Sequence, residues 1–86
     1  MYTISRHIIV ERTEGKIVLF DPNKLLFYNL NETASFIFHL LKMKKSLNEI
    51  VQLTTSEYGM GPKRVKKDVK KILTDLERKN IIYKRK

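Results

Sequence analysis

Two short apolar runs separated by a turn signal dominate the pattern in the first half of the chain. They span residues 17–20 and 25–28 and are rich in the β-branched and aromatic residues that favour strands. Between them lies Asp21-Pro22-Asn23-Lys24. Its Asp can accept a backbone N–H beyond it, and its Pro fixes φ at the second turn position. We therefore predict a strand, a type I turn and a second strand.

A helix is predicted directly after the second run. Asn31 lies where an N-cap belongs, because its side-chain oxygen can accept a free N–H of the first helical turn. Apolar residues then recur at helical spacing at Ala34, Ile37, Phe38 and Leu41.

A further strand is predicted upstream, over residues 7–12, followed by a turn at 13–15. Together with the two later strands it forms an antiparallel meander. Residues 1–5 are expected to be loose or part of a first strand, and the basic residues 84–86 to be a flexible tail.

Two more helices are predicted in the second half. Ser46 and Glu49 form a capping box at the start of the second helix, and Gly59 can end it in a left-handed conformation. Pro62 opens the third helix, where its missing N–H is harmless, and Asn80 ends it. The predicted buried face of the third helix consists of Val65, Val69, Ile72, Leu73 and Leu76. Residues 81–83 then follow as a short apolar tail against the core.

Three strands followed by three helices predict an α+β fold similar to a winged helix-turn-helix, with residues 1–86 as one domain. The strands are apolar on both faces, whereas one face of a small sheet is normally wet. The second apolar face is therefore expected to be covered by a partner, a second copy or the third helix, since an exposed apolar patch on a small protein usually marks an interaction site.

The composition excludes several kinds of site and location. There is no cysteine, so neither a disulfide framework nor a thiolate metal site can form. The N-terminus lacks the pattern of a signal peptide, and the apolar runs are too short to span a membrane. We expect a soluble, cytoplasmic protein without membrane contact.

Positive charge is concentrated at the C-terminal end. Residues 63–86 contain eleven Lys and Arg against three acidic residues, which leaves +8 of the total of +9. This field attracts an anionic partner and weakens with salt. A solvated helix face without a partner is an equally weighted interpretation.

Catalysis finds no support in the sequence. His7 and His39 are far apart, and no serine has the G-x-S-x-G context of a nucleophile. The three glycines form no phosphate-binding loop, and no His, Asp or Glu cluster has metal-ligand spacing. We therefore predict no catalytic residue, no metal site, no cofactor and no enzyme activity of its own.

The order of strand, turn, strand and helix, with Leu30-Asn31-Glu32-Thr33-Ala34 at the junction, resembles coenzyme PQQ synthesis protein D. Further matching positions are Ile37, Phe38, Leu40, Leu41, Tyr58, Val65, Asp68, Val69, Leu73, Leu76, Ile81 and Ile82. The resemblance extends from Ile8 to Tyr83. This chain departs from the family at Phe38, where a Trp is usual, and at residues 42–44, where a Gly usually follows the first helix.

The resemblance implies a RiPP recognition element, a domain that binds leader peptides of ribosomally made and modified peptides. A precursor leader peptide would add to the edge of the third strand, in a groove beside the third helix. The partner would be a modifying enzyme, most often a radical SAM enzyme. By this resemblance, the peptide-binding positions of this chain would be Leu25, Leu26, Phe27, Tyr28, Lys66, Val69, Lys70 and Leu73.

Among these positions, Leu26, Val69 and Leu73 fit an ordinary core better than a binding site. For Tyr28, Lys66 and Lys70 the binding interpretation is favoured. Lys66 and Lys70 are expected to matter more than Lys67 and Lys71 for an acidic leader.

Two other functions remain open at this point. The basic third helix, with Lys and Arg from Lys63 to Lys71, could be a recognition helix of a winged-helix DNA-binding protein. Nucleic acid is the less favoured partner, because this helix carries mostly Lys, a phosphate contact, and no Asn or Gln to read bases. A homodimer or structural adaptor without a peptide ligand is the third interpretation.

Overall fold

A computed structural model describes residues 2–85, which form five strands and three helices. The strands are β1 (Tyr2–Ile4), β2 (Ile9–Thr13), β3 (Lys16–Asp21), β4 (Leu26–Asn29) and β5 (Ile82–Lys84). The helices are α1 (Glu32–Lys42), α2 (Leu47–Tyr58) and α3 (Pro62–Arg78). Strands β2, β3 and β4 form one antiparallel sheet in that order, and the three helices follow. The predicted α+β architecture with an antiparallel meander is therefore confirmed.

The turn between β2 and β3 is a two-residue hairpin loop. Glu14 and Gly15 both have positive φ, 51° and 80°, and Thr13 pairs with Lys16 across the loop. Two-residue loops with positive φ at both positions match the right-handed twist of the flanking strands. The loop therefore fixes the register in which Leu19 lies opposite Val10.

The turn between β3 and β4 is held by the Asp21 carboxylate. Its Oδ1 accepts the backbone N–H of Asn23 at 2.9 Å and that of Lys24 at 3.3 Å, as its position in the turn predicted. Leu25 belongs to the turn with φ of 55°, a left-handed conformation that is unusual for a branched residue. The strand that was predicted to begin at Leu25 therefore begins at Leu26.

The two ends of the described chain pair with each other in a second sheet. Strand β1 pairs antiparallel with β5, with Thr3 opposite Tyr83 and Tyr2 opposite Lys84. Residues 81–83 were predicted as an apolar tail, and 84–86 as flexible. Instead Lys84 lies in a strand, because the residues of β1 supply hydrogen-bonding partners that local sequence could not reveal. Lys86 lies outside the described residues.

The helix caps follow the sequence signals. Asn31 Oδ1 accepts the N–H of Ala34 at 2.8 Å, and Pro62 occupies the first turn of α3. At α2, Ser46 Oγ accepts the N–H of Glu49, and the Glu49 carboxylate accepts the N–H of Ser46. These hydrogen bonds hold the pKa of Glu49 below its ordinary value. Gly59 ends α2 with φ of 64°.

The chain leaves α1 without a glycine. Lys44 adopts φ of 60°, and its N–H donates to the carbonyl of Leu41 at 2.9 Å. The next amide, that of Lys45, donates to Leu40 at 3.1 Å. A non-glycine residue therefore takes the left-handed conformation that commonly ends helices, and the departure from the family pattern at residues 42–44 is accommodated.

One core joins the sheet to all three helices. Phe38 is its largest fully buried side chain, and Ile17 and Leu19 enter it from β3. The buried apolar cluster consists of Ile8, Ile17, Leu19, Ile37, Phe38, Leu40, Leu41, Ile50, Val65, Val69, Leu73, Leu76, Ile81 and Ile82. In the described part of the chain, no helix is long and apolar enough to cross a membrane.

Ser35 connects α1 to the end of the sheet. Its hydroxyl accepts the N–H of Ile17 at 2.9 Å and donates to the carbonyl of Leu30 at 3.2 Å. The side chain is buried, so water cannot replace either bond. This bridge fixes the position at which the chain leaves β4 and begins α1.

We predict that Phe38→Ala destabilises the domain by about 3–5 kcal/mol, because the substitution opens a cavity in the core. This loss is a large part of the free energy of unfolding of a small domain. Thermal and urea denaturation followed by circular dichroism measure the loss. A melting temperature within a few degrees of wild type would contradict the central role of Phe38.

We also predict that Ser35→Ala costs about 1–3 kcal/mol, because the N–H of Ile17 and the carbonyl of Leu30 lose a buried partner. Ser56→Ala on the exposed face of α2 is the matched control and should change stability little. Equal urea midpoints for the two variants would show that the Ser35 bridge contributes nothing.

Candidate functional site

A groove of ≈1200 Å³ runs between β4 and α3. Its floor is apolar. Tyr28 lies on the wall formed by β4, and Ile72 lies on the wall formed by α3. The lining residues are Phe27, Tyr28, Asn29, Leu30, Asn31, Thr33, Ala34, Lys67, Asp68, Lys70, Lys71, Ile72, Thr74, Asp75, Leu76, Arg78, Lys79 and Ile81.

The strand wall of the groove is an open sheet edge. Within residues 2–85, β4 pairs with β3 on one side and with no strand on the other. The free side carries backbone N–H and C=O groups that can accept another strand. The groove therefore combines hydrogen-bonding backbone groups with an apolar floor.

The helix wall is basic. Five cationic side chains line the groove against the carboxylates of Asp68 and Asp75, which leaves an excess of three positive charges. The cations are Lys67, Lys70, Lys71, Arg78 and Lys79. Such a wall favours an anionic occupant, and the attraction is strongest at low ionic strength.

Lys79 closes one end of the groove. Its Nζ lies 2.9 Å from Asp75 Oδ2 and 5.1 Å from the centroid of the Tyr28 ring, so it joins α3 to β4. Its backbone carbonyl accepts a hydrogen bond from Lys24 Nζ at 3.1 Å. These contacts hold the β3–β4 turn against the C-terminus of α3.

The predicted site residues are only partly brought together. On the strand side, Phe27 and Tyr28 line the groove. Leu25 and Leu26 are exposed, by 76% and 47%, but lie outside the lining. The expectation that Leu26 belongs to the core is therefore wrong, because its strand lies at the edge of the sheet. The open edge thus lies where it was expected, although it is shorter than the predicted strand.

On the helix side, the structure differs more from the predicted site. Val69 and Leu73 are 0% and 2% exposed and belong to the core, so their side chains are not available to a ligand. Lys70 lines the groove, whereas Lys66 does not. The expectation that Lys66 borders the groove is therefore not supported by its position.

The sequence interpretation did not assign several cationic residues that line the groove, among them Lys67, Lys71 and Arg78. Their spacing of i, i+4 and i+11 marks one face of a helix, and that signal was present in the sequence. The sequence alone could not identify this face as the groove wall, because only the packing of α3 shows which side of its apolar stripe borders β4.

A smaller hollow of ≈220 Å³ lies on the other side of α1. In it, Arg12 Nη2 lies 2.9 Å from His39 Nδ1, and the Tyr58 hydroxyl donates to the carbonyl of Glu32 at 3.5 Å. Burial, together with the charges of Glu32 and Glu57, raises the pKa of Tyr58 above its ordinary value. The arrangement presents no nucleophile paired with a base.

His7 has a different neighbour. Its Nε2 lies 3.5 Å from Oδ1 of the buried Asp21, under the β3–β4 turn. Residues 2–85 contain no group of three or more His, Asp or Glu side chains arranged to hold a metal ion.

Comparisons with known proteins agree on one family. The family model for Coenzyme PQQ synthesis protein D (PqqD) matches residues 16–82. The structure of TbiB1 in complex with the TbiA(β) leader peptide superimposes with a TM-score of 0.91 at 24% identity, covering 98% of each chain.

A second solved structure, lasso peptide synthetase B1 complexed with the leader peptide, has a TM-score of 0.89 at 25% identity. It covers 96% of this chain and 98% of that one. A search of curated proteins found no significant match. Both structural relatives are described with peptides, so the comparisons give the DNA-binding alternative no support.

The family match extends from the start of β3 to the start of β5 and includes both walls of the groove. It therefore covers well over half of the sequence. On this evidence the chain belongs to the Coenzyme PQQ synthesis protein D (PqqD) family.

Proposed function

We propose that this domain binds the leader segment of a ribosomally made precursor peptide in the groove between β4 and α3. The open edge of β4 beside an apolar floor is the observation that carries the proposal. The peptide adds as a further strand, and its side chains enter the groove alternately.

The two structural relatives support this assignment. Each is described in complex with a leader peptide, and each shares the fold along nearly the entire chain. The family match on residues 16–82 supports the same assignment, since the resemblance to this family implies a domain that binds leader peptides.

The physical basis of the affinity is divided between backbone and side chains. Strand β4 has four residues, so few main-chain hydrogen bonds are available, each contributing about 0.5–1.5 kcal/mol. Burial of apolar side chains on the floor must therefore supply much of the remainder. Selectivity arises from the same side chains, because backbone bonds carry no sequence information.

Charge on α3 favours an acidic leader. The side chains of Lys67 and Lys71 are exposed at the groove and free to approach a carboxylate. Long-range attraction speeds the encounter, whereas the apolar floor determines how long the peptide remains bound.

In this proposal the domain performs no chemistry. It raises the effective concentration of the precursor at a modifying enzyme, which acts on the peptide while the leader is held. The family resemblance favours a radical SAM enzyme as that partner and the cytoplasm as the compartment. A homodimer that covers the groove with a second copy is the alternative arrangement.

We predict that the leader peptide of the cognate precursor shifts the backbone amide resonances of residues 24–30 and 63–76. The contact surface consists of β4 and α3, so shifts should concentrate there. Titration followed by ¹⁵N-¹H correlation spectra tests this expectation. Shifts confined to α2 would place the site elsewhere.

We further predict that the double charge reversal Lys67→Glu with Lys71→Glu weakens leader binding about tenfold at low salt, since both side chains border the groove. Lys63→Glu with Lys66→Glu is the matched control. It changes the net charge equally at exposed positions outside the lining.

Affinities of both double variants for leader peptide and for duplex DNA, measured at two salt concentrations, separate the functions. The difference between the variants should shrink as salt rises, leaving apolar affinity for the leader. Tight DNA binding that both variants lose equally, without affinity for the leader, would overturn the proposed function.

A further inference from the structure

The outer face of the sheet carries an apolar row that meets the groove only at Phe27, on the edge strand β4. Ile9, Phe20 and Phe27 lie opposite one another on three neighbouring strands. The rings of Phe20 and Phe27 are in contact, with centroids 4.5 Å apart. Ile9 and Phe27 are nevertheless 48% and 67% exposed. The row ends at Phe27, on the open edge.

The direction of the backbone groups along β4 follows from one hydrogen bond. The N–H of Leu30 donates to the carbonyl of Ile17 at 2.9 Å, so Leu30 points its backbone groups toward β3. Antiparallel strands alternate in this respect from one residue to the next. Tyr28 and Leu26 therefore also face β3, while the backbone groups of Phe27 and Asn29 point to the free edge.

The side chains alternate together with the backbone groups. Tyr28 pairs with the buried Leu19 and therefore lies on the core face of the sheet. Phe27 pairs with Phe20, so the side chains of Phe27 and Asn29 lie on the outer face. A strand added to β4 pairs with Phe27 and Asn29. The peptide residue directly opposite Phe27 must then point outward, while its two neighbours point into the groove.

We infer that the peptide bound by this domain carries an apolar side chain opposite Phe27, which extends the row of Ile9, Phe20 and Phe27 onto a fourth strand. The inference rests on the proposed strand addition and deepens it. Directly opposed residues on one face of a sheet are in contact, so an apolar side chain there shields the exposed ring of Phe27.

Charge distinguishes the two faces of the peptide. The residues that flank the outward position face the groove, where cations exceed carboxylates by three. Inward positions therefore favour apolar side chains over the floor and acidic ones beside the cations, whereas the outward position beside Phe27 favours an apolar side chain. A shift of register by one residue would exchange these environments, so Phe27 helps to select the register as well as the sequence.

The probe is a displayed library of random linear peptides, panned on the wild-type domain and on Phe27→Ser. On wild type, enriched peptides should share an apolar outward position, flanked by inward positions that prefer apolar or acidic residues. On Phe27→Ser, the preference at the apolar position should be lost while the flanking preferences remain. Identical preferences on both proteins would overturn the inference.

The affinities of individual enriched peptides measure how much the contact with Phe27 contributes to binding. Phe27→Ser should weaken their binding about tenfold, and Phe27→Leu should restore most of the loss because it keeps an apolar side chain. Leu25→Asn is the matched control, since Leu25 is exposed beside the edge in a left-handed conformation that Asn tolerates. Equal weakening by Leu25→Asn and Phe27→Ser would contradict a specific role of Phe27. Melting curves verify that each variant is folded.

Amide hydrogen exchange in the complex separates the inference from the proposed function. Binding should slow exchange at Phe27 and Asn29, whereas Tyr28 and Leu30 already donate to β3 and should change less. Changes in the amide resonances of α3 without slower amide exchange at Phe27 and Asn29 would overturn the proposed register while leaving groove binding intact. Failure of the library to yield any binder would overturn both.

Discussion

The packing of α3 through one apolar stripe is the contact on which the rest of the structure depends. Val65, Val69, Leu73 and Leu76 are buried, and α3 packs against α2 and β5. This burial orients the helix, and the orientation places Lys67, Lys71 and Arg78 along β4. Core and candidate site are thus two faces of one helix, so a change that rotates α3 would alter both stability and binding.

The exposed edge of β4 is limited by its surroundings. Lys79 connects α3 with Tyr28 at one end of the groove, and Ser35 fixes the exit from β4 at the other. Only Phe27 and Asn29 direct backbone groups outward between these ends. A short edge of this kind reduces the risk of uncontrolled strand pairing, and it makes side-chain contacts decisive for any peptide that adds to it.

Local signals were sufficient for the three-stranded sheet, the helices and their caps. Asn31, Ser46, Glu49 and Pro62 act within a few residues of where they stand, so sequence spacing reveals their partners. The pairing of β1 with β5 joins the two ends of the chain and has no local signal. The turn at Leu25 also escaped prediction, because a branched residue seldom adopts positive φ.

The sequence by itself determined the order of elements, the concentration of charge on α3 and the family to which the chain belongs. It also indicated that the third strand of the meander, β4, is an open edge. The tertiary structure decided which flank of α3 borders that edge, and it placed Val69 and Leu73 in the core and Lys66 away from the groove. The helical period specifies which residues share a face, but packing against other elements decides what that face contacts.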